Sequence, residues 1–198
     1  MAPLILAPPL LGGSQTVACA TRQNKRGDKT MPQLFAQPYD IDAIGFYFET
    51  FEEFQTISNR HLNRYGDRVE EYEIQFIDGD DIDCSLEKAW NLDLSNIKRY
   101  FAACDDWGDH QKRIFIIAVG EGGYNFDPDN VSADDFEVDI YEIDGMANLA
   151  EQFVAEGLWG DIPDHLANYI DYDAIGRDLE HDYTETEIAG KTLIYRIS

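Results

Sequence analysis

The chain has 198 residues with 39 acidic and 15 basic side chains, which gives a net charge of −24 at pH 7. Such a charge repels DNA, RNA and anionic lipid and attracts basic surfaces, including DNA-binding grooves. An apolar content of 44% argues against disorder throughout the chain. No run of about 18 apolar residues is present, so no membrane-spanning helix is expected.

The first 30 residues differ from all that follow. Their charged residues are Arg22, Lys25, Arg26, Asp28 and Lys29. They lack an early basic residue, and Pro8 and Pro9 interrupt the apolar run, so a signal peptide is not indicated. We predict that residues 1–34 are a disordered or non-native extension, with Met31 as the natural start. From Met31 onward the chain has 38 acidic and 11 basic residues, a net charge of −27.

A β-α-β unit is predicted after a lead-in over Met31–Asp42. Ile44–Phe48 is typical of a buried strand. Thr50 and Glu53 match a capping box, and the helix that follows is expected to end at Gly66. Its apolar side would be formed by Phe54, Ile57, His61 and Tyr65. Residues 70–77 alternate acidic and apolar side chains, which predicts a strand with one exposed acidic face.

Helices dominate the predicted middle of the chain. Asp78–Asp83 is expected to be an acidic turn, followed by a short helix over Ser85–Asn91 and a second helix capped by Ser95. Asp109–Gly120 is ambiguous between a helix and a strand, because its apolar run Ile114–Val119 fits a strand by propensity; a loop is expected over Gly120–Asp135.

The last third has the clearest pattern. It predicts a strand over Val138–Ile143, a helix from Met146 to Val154, a short helix opened by Pro163 and another capped by Asp171. Tyr183–Ile188 and Lys191–Ile197 then form a hairpin whose turn is at Ala189-Gly190.

These elements predict an α+β fold, an elongated chain of small α/β and helical subdomains. The predicted divisions are an N-terminal domain over residues 35–91, a mainly helical domain over 92–136 and a C-terminal α+β domain over 137–198.

No catalytic or metal-binding motif survives inspection. Ser85-Leu-Glu-Lys88 has the spacing of an acylating serine and lysine, but the companion motifs are absent. A calcium loop starting at Asp78 would need Gly where Asp83 stands and Glu where Ala89 stands. Cys19, Cys84 and Cys104 have no disulfide or zinc spacing, and they fit a reducing compartment. We therefore expect no enzyme, no cofactor, no metal site and a cytoplasmic location.

One segment carries a family resemblance. The sequence of Glu156–Asp182, EGLWGDIPDHLANYIDYDAIGRDLEHD, combines Gly-Leu-Trp-Gly, Ile-Pro, Tyr-Ile-Asp-Tyr and Gly-Arg-Asp-Leu. It resembles the C-terminal region of the ArdA antirestriction family, small acidic proteins of mobile elements that imitate DNA. The resemblance covers about Asp144–Ser198 and extends more weakly over the middle of the chain, where it implies a helix over Asp109–Gly120.

The resemblance implies a protein that occupies the DNA-binding groove of a Type I restriction-modification enzyme, formed by its methyltransferase and specificity subunits. It also implies dimerisation through the C-terminal domain, which we assign to Leu158, Trp159, Pro163, Tyr169, Tyr172 and Arg177. The acidic charge, for its part, predicts no binding to nucleic acid or membrane. The carboxylates expected to stand in for phosphates are Glu52, Glu53, Glu70, Glu71, Glu73, Asp78, Asp80, Asp81, Asp83, Asp105, Asp106, Asp109, Asp127, Asp129, Asp134 and Asp135.

Two other readings stay open on charge alone. A DNA mimic is equally suited to another target, such as a CRISPR effector or a nucleoid protein. An acidic domain that binds cations or tolerates high salt would have a similar composition.

Overall fold

The computed structural model describes residues 30–198, so the first 29 residues of the predicted extension lie outside it. Within the described range, seven α-helices and two antiparallel three-stranded sheets form an α+β fold. None of the helices between Thr30 and Ser198 is both long and apolar enough to cross a bilayer.

The N-terminal sheet contains β1 (Gln33–Pro38), β2 (Phe46–Phe48) and β3 (Tyr72–Asp78) in the order β2-β1-β3. The predicted lead-in is wrong, because it contains β1, the central strand of this sheet. Leu34 and Ala36 are fully buried and face Phe76 and Ile74 of β3. The two predicted strands of the β-α-β unit therefore do not pair with each other. Each pairs with β1, which lies between them.

The first helix, α1, covers Phe51–Ser58 and begins as predicted. The Glu53 N–H donates to Thr50 Oγ1 (3.1 Å), and the Glu53 carboxylate accepts the N–H of Glu49 (2.9 Å). The helix does not continue to Gly66. The side-chain oxygen of Asn63 accepts two backbone N–H bonds further along and closes a loop in place of another helical turn.

The middle of the chain is helical, with α2 (Asp81–Trp90), α3 (Ile97–Asp106) and α4 (Asp109–Phe115). A π-helix over Ile116–Glu121 continues α4, so the helix predicted over Asp109–Gly120 is confirmed.

Two details of this helical region differ from the prediction. Helix α2 starts inside the expected acidic turn, with Asp80 as its N-cap. The N-cap of α3 is Asn96 instead of Ser95, because the Asp93 carboxylate accepts the backbone N–H groups of both residues.

The C-terminal part confirms the predicted sequence of elements. A 3₁₀ turn over Ala133–Asp135 leads into β4 (Val138–Tyr141), α5 (Met146–Ala155), α6 (Asp164–Ala167), α7 (Tyr172–Leu179), β5 (Thr184–Ile188) and β6 (Lys191–Ile197). The strands pair in the order β4-β6-β5, and both turn residues of the hairpin have positive φ. Asp171 caps α7 by accepting the Ala174 N–H (2.9 Å), whereas Pro163 precedes α6 as its N-cap.

Strand β6 is covered on both faces. Leu193 and Tyr195 belong to a large core that also contains Phe115, whereas Ile194 packs with Phe153 in a smaller core beneath α5. The larger core includes buried side chains from all three predicted domains. The domain boundaries themselves stay a prediction.

Candidate functional site

Most of the predicted phosphate-mimicking carboxylates belong to exposed residues. The exposed members are Glu52, Glu53, Glu70, Glu71, Glu73, Asp81, Asp105, Asp106, Asp109, Asp127, Asp129, Asp134 and Asp135. Asp78 and Asp80 are half-buried, and Asp83 is buried. The acidic surface therefore draws on helices, on a strand and on the loop before β4.

The acidic face near β3 follows from strand geometry. Tyr72 and Ile74 are 6% and 7% exposed and point into the core. The intervening Glu73, and Glu71 just before the strand, are exposed because successive side chains of an extended chain point to opposite sides. The alternation seen in the sequence is confirmed here.

Two carboxylates in the loop before β4 are held by neighbouring groups. The Asp127 carboxylate accepts hydrogen bonds from Asn130 Nδ2 (2.6 Å) and from the Asp129 N–H (3.1 Å). The bond from Asn130 is the main cause that lowers the pKa of Asp127 below its usual value. Asp129 is paired with Arg99 Nε at 3.0 Å. Asp127 thus presents a fixed negative charge, whereas the charge of Asp129 is partly compensated within the protein.

Asp83 is not a surface carboxylate, and its prediction as a phosphate mimic is wrong. Its side chain is fully buried in contact with the Lys112 ammonium, and the Tyr100 hydroxyl donates to its backbone carbonyl (2.9 Å). Burial raises the pKa of Asp83, and the hydrogen bond from Lys112 acts against this rise. The pair joins α2 to α4. Helix α2 begins at Asp81, so Asp83 lies three residues before Leu86 and seven before Trp90, on the same buried face of the helix. This spacing would have indicated that Asp83 is buried.

A second ionic contact joins α4 to the C-terminal sheet. The side chain of Arg113 is 5% exposed, and its Nη1 lies 2.6 Å from the Glu142 carboxylate, just after β4. Lys191, at the start of β6, lies 3.3 Å from the same carboxylate. These two cations lower the pKa of Glu142, the hydrogen bond from Lys191 being the largest cause. The contact fixes the acidic middle of the chain against the C-terminal sheet.

The residues predicted to form a dimer interface are mostly exposed. Leu158, Trp159 and Tyr169 are 58%, 53% and 84% exposed, which is unusual for large apolar side chains. Pro163 and Arg177 are exposed as well, and Tyr172 is half-buried. These exposed side chains are accessible to a second copy, and their role as a dimer interface stays a prediction.

Sequence reasoning missed a second apolar surface. Ile41 and Ile44, between β1 and β2, are 95% and 85% exposed, and Tyr65, once expected on a helix, lies 68% exposed in a loop. These side chains are exposed because the chain turns after β1 and again after α1. The pattern of apolar residues in the sequence does not show where these turns lie.

Metal binding finds no support in the described range. No cluster of three or more His, Cys, Asp or Glu residues within residues 30–198 is arranged to hold a metal ion.

The comparison with protein families identifies the chain. A model of the ArdA antirestriction proteins matches residues 29–190. The chain belongs to the ArdA family. Members of this family are antirestriction proteins, which act as inhibitors of restriction, so the resemblance noted in Glu156–Asp182 is confirmed. The match of this ArdA protein also extends across the N-terminal sheet and begins two residues before Met31. None of the curated proteins compared with the chain matches it.

Proposed function

We propose that this ArdA protein inhibits Type I restriction-modification enzymes by imitating B-form DNA and occupying their DNA-binding groove. The observation that carries the proposal is the exposure of thirteen predicted phosphate-mimicking carboxylates on several elements of one folded chain. Lys and Arg side chains that line a DNA groove would pair with these carboxylates as they pair with phosphates.

The amount of charge suits a long groove. Duplex DNA carries about one negative charge per 1.7 Å of its axis. The surplus of 27 acidic residues after Met31 corresponds by that spacing to about 46 Å of duplex, or about 90 Å for a dimer. An elongated arrangement of the three predicted domains would present this charge along a line.

The proposal also predicts that inhibition does not depend on the DNA sequence that the enzyme recognises. Carboxylates replace phosphates, but the protein offers no base edges, and base edges are what sequence-specific enzymes read. Inhibition should therefore be similar for enzymes with different recognition sequences.

Phage plating on hosts with and without a Type I system tests the function directly. Expression of the protein should raise plating only on the restricting host. A variant with eight exposed carboxylates reversed to Lys should lose this effect; the eight are Glu52, Glu70, Glu71, Glu73, Asp81, Asp105, Asp106 and Asp134. This set spares the helix-capping Glu53, the hydrogen-bonded Asp127 and the ion-paired Asp129.

A matched control changes the net charge equally at other exposed positions. Its eight reversals are Glu151, Glu156, Asp173, Asp178, Glu180, Asp182, Glu185 and Glu187. It should retain more inhibition than the first variant. Equal loss in the two variants, with the oligomeric state of each unchanged by light scattering, would show that only total charge matters. Abolition of inhibition by replacing any one carboxylate with its amide would indicate a local site in place of distributed imitation.

A further inference from the structure

The strongest feature outside the acidic surface is a patch on two adjoining loops. We name it the apical patch: residues 39–45, between β1 and β2, and residues 59–68, after α1. Its large apolar side chains are Tyr39, Ile41, Ile44, Leu62 and Tyr65, which are 66%, 95%, 85%, 55% and 68% exposed. Single exposed apolar residues are common on protein surfaces, but a group of five on adjoining loops indicates an interaction site.

The two loops are bound to each other, so the apical patch has a defined shape. Asn63 Nδ2 donates to Asp40 Oδ2 (2.9 Å), and the Arg64 N–H donates to the Asp42 carbonyl (3.0 Å). The Arg64 guanidinium pairs with the Asp42 carboxylate at 2.7 Å and lies over the Tyr65 ring, 4.9 Å from its centroid.

The apical patch is electrically unlike the rest of the protein. Its acidic residues are Asp40, Asp42 and Asp67, and its basic residues are Arg60, Arg64 and Arg68, so its formal charge is zero. The chain from Met31 onward carries −27. The patch therefore makes no contribution to an imitation of phosphates, and a basic groove would gain nothing from contact with its arginines.

The apical patch nevertheless lies beside the acidic surface. Glu70 and Glu71 follow its second loop after the buried Val69, and the Tyr39 N–H donates to the Glu71 carbonyl (3.2 Å). A basic groove that binds Glu70, Glu71 and Glu73 would bring the surface at its edge against the patch.

We infer that the apical patch docks on an apolar surface of the restriction enzyme at the edge of its DNA groove. This inference rests on the proposed function. Charge attraction acts over several ångströms and draws the protein to any groove lined by Lys and Arg. Apolar contacts require a complementary shape at short range, so they discriminate among proteins that all bind DNA. Because the patch has no net charge, its partner surface is expected to be apolar and without a strong charge of its own, unlike the basic floor of a DNA-binding groove.

The test measures affinity for a purified Type I methyltransferase at several salt concentrations between about 50 and 200 mM. The variant Ile41→Ser with Ile44→Ser removes two apolar side chains without changing the net charge. Both side chains are almost fully exposed, so thermal stability should be unchanged. We expect the Kd to rise about tenfold or more at every salt concentration, with an unchanged slope of log Kd against log salt.

A matched variant, Glu70→Gln with Glu71→Gln, should instead reduce the salt slope, because it removes charges from the acidic surface. Affinity of the Ile variant equal to that of the unaltered protein would overturn the inference and leave the proposed function standing. Failure of the unaltered protein to bind would overturn both.

A second copy of the chain is the competing occupant. Sedimentation velocity distinguishes it, because the Ile variant would then lose an association that the unaltered protein shows without the enzyme. That result would also overturn the inference.

Discussion

The buried ion pair between Asp83 and Lys112 makes a strong prediction about stability. Lys112→Met keeps most of the side-chain volume but leaves a fully buried carboxylate without its cation. Removal of one partner from a buried pair costs about 3–5 kcal/mol. Because a domain of ordinary stability unfolds with about 5–15 kcal/mol, this single substitution should remove a large fraction of the total.

Urea denaturation, followed by circular dichroism, measures the loss. The free energy of unfolding falls by about 1–3 kcal/mol per molar urea, so the urea concentration at the midpoint of unfolding should decrease by more than about 1 M. Lys88→Met changes an exposed lysine of α2 and should stay within about 0.5 kcal/mol of the unaltered protein. The double variant Asp83→Asn with Lys112→Met removes both charges, and it should recover most of the lost stability.

The pH dependence provides an independent check. Burial already raises the pKa of Asp83 above its ordinary value of 3.8, and loss of Lys112 should raise it further. An acid with a raised pKa in the folded state binds more protons folded than unfolded, so stability falls as pH rises through that window. The deficit of Lys112→Met relative to the double variant should therefore be largest near neutral pH and shrink towards pH 4. A deficit that is below about 1 kcal/mol, or that is independent of pH, would refute this account.

Three further predictions concern other positions. A Cβ added at Gly176 would lie 3.0 Å from the Ala147 backbone nitrogen, so Gly176→Ala should force α7 away from α5 and lower the free energy of unfolding by about 1–3 kcal/mol; a neutral result would show that these helices adjust freely. Thr50→Ala should cost about 1 kcal/mol through loss of the α1 cap, whereas Thr56→Ala, in the same helix, should cost less. Trp159→Asp with Tyr169→Asp should yield a monomer by light scattering if the predicted dimer interface is correct, and a persistent dimer would place the interface elsewhere.

Local signals predicted the elements that local interactions determine. The capping box at Thr50, the cap at Asp171 and the hairpin turn at Ala189-Gly190 depend on residues within four positions of one another, and all three are present. The order of these helices and strands was sufficient to predict the α+β class.

The predictions that are wrong share one physical cause, which is contact between residues that lie far apart in the sequence. Strand β1 has only short alternation, and it becomes the centre of a sheet because Ala36 meets Ile74 far along the chain. The sequence predicts Asp83 to be a surface residue, because charged side chains are seldom buried without a partner and its partner Lys112 is 29 positions away. The apical patch was missed because a helix was continued through residues that turn back to contact Asp40 and Asp42.

The two-sided packing of β6 limits how the protein can adapt to its target. A strand held between two cores cannot serve as a hinge, because its rotation would open both cores at once. The acidic residues of α4, on one side of the strand, and of α5, on the other, are therefore kept at a set separation. If the protein occupies a DNA groove as proposed, a restriction enzyme with a differently curved groove could not be accommodated by bending at this strand. An enzyme lineage would then escape inhibition more readily by reshaping its groove than by altering the DNA sequence that it recognises.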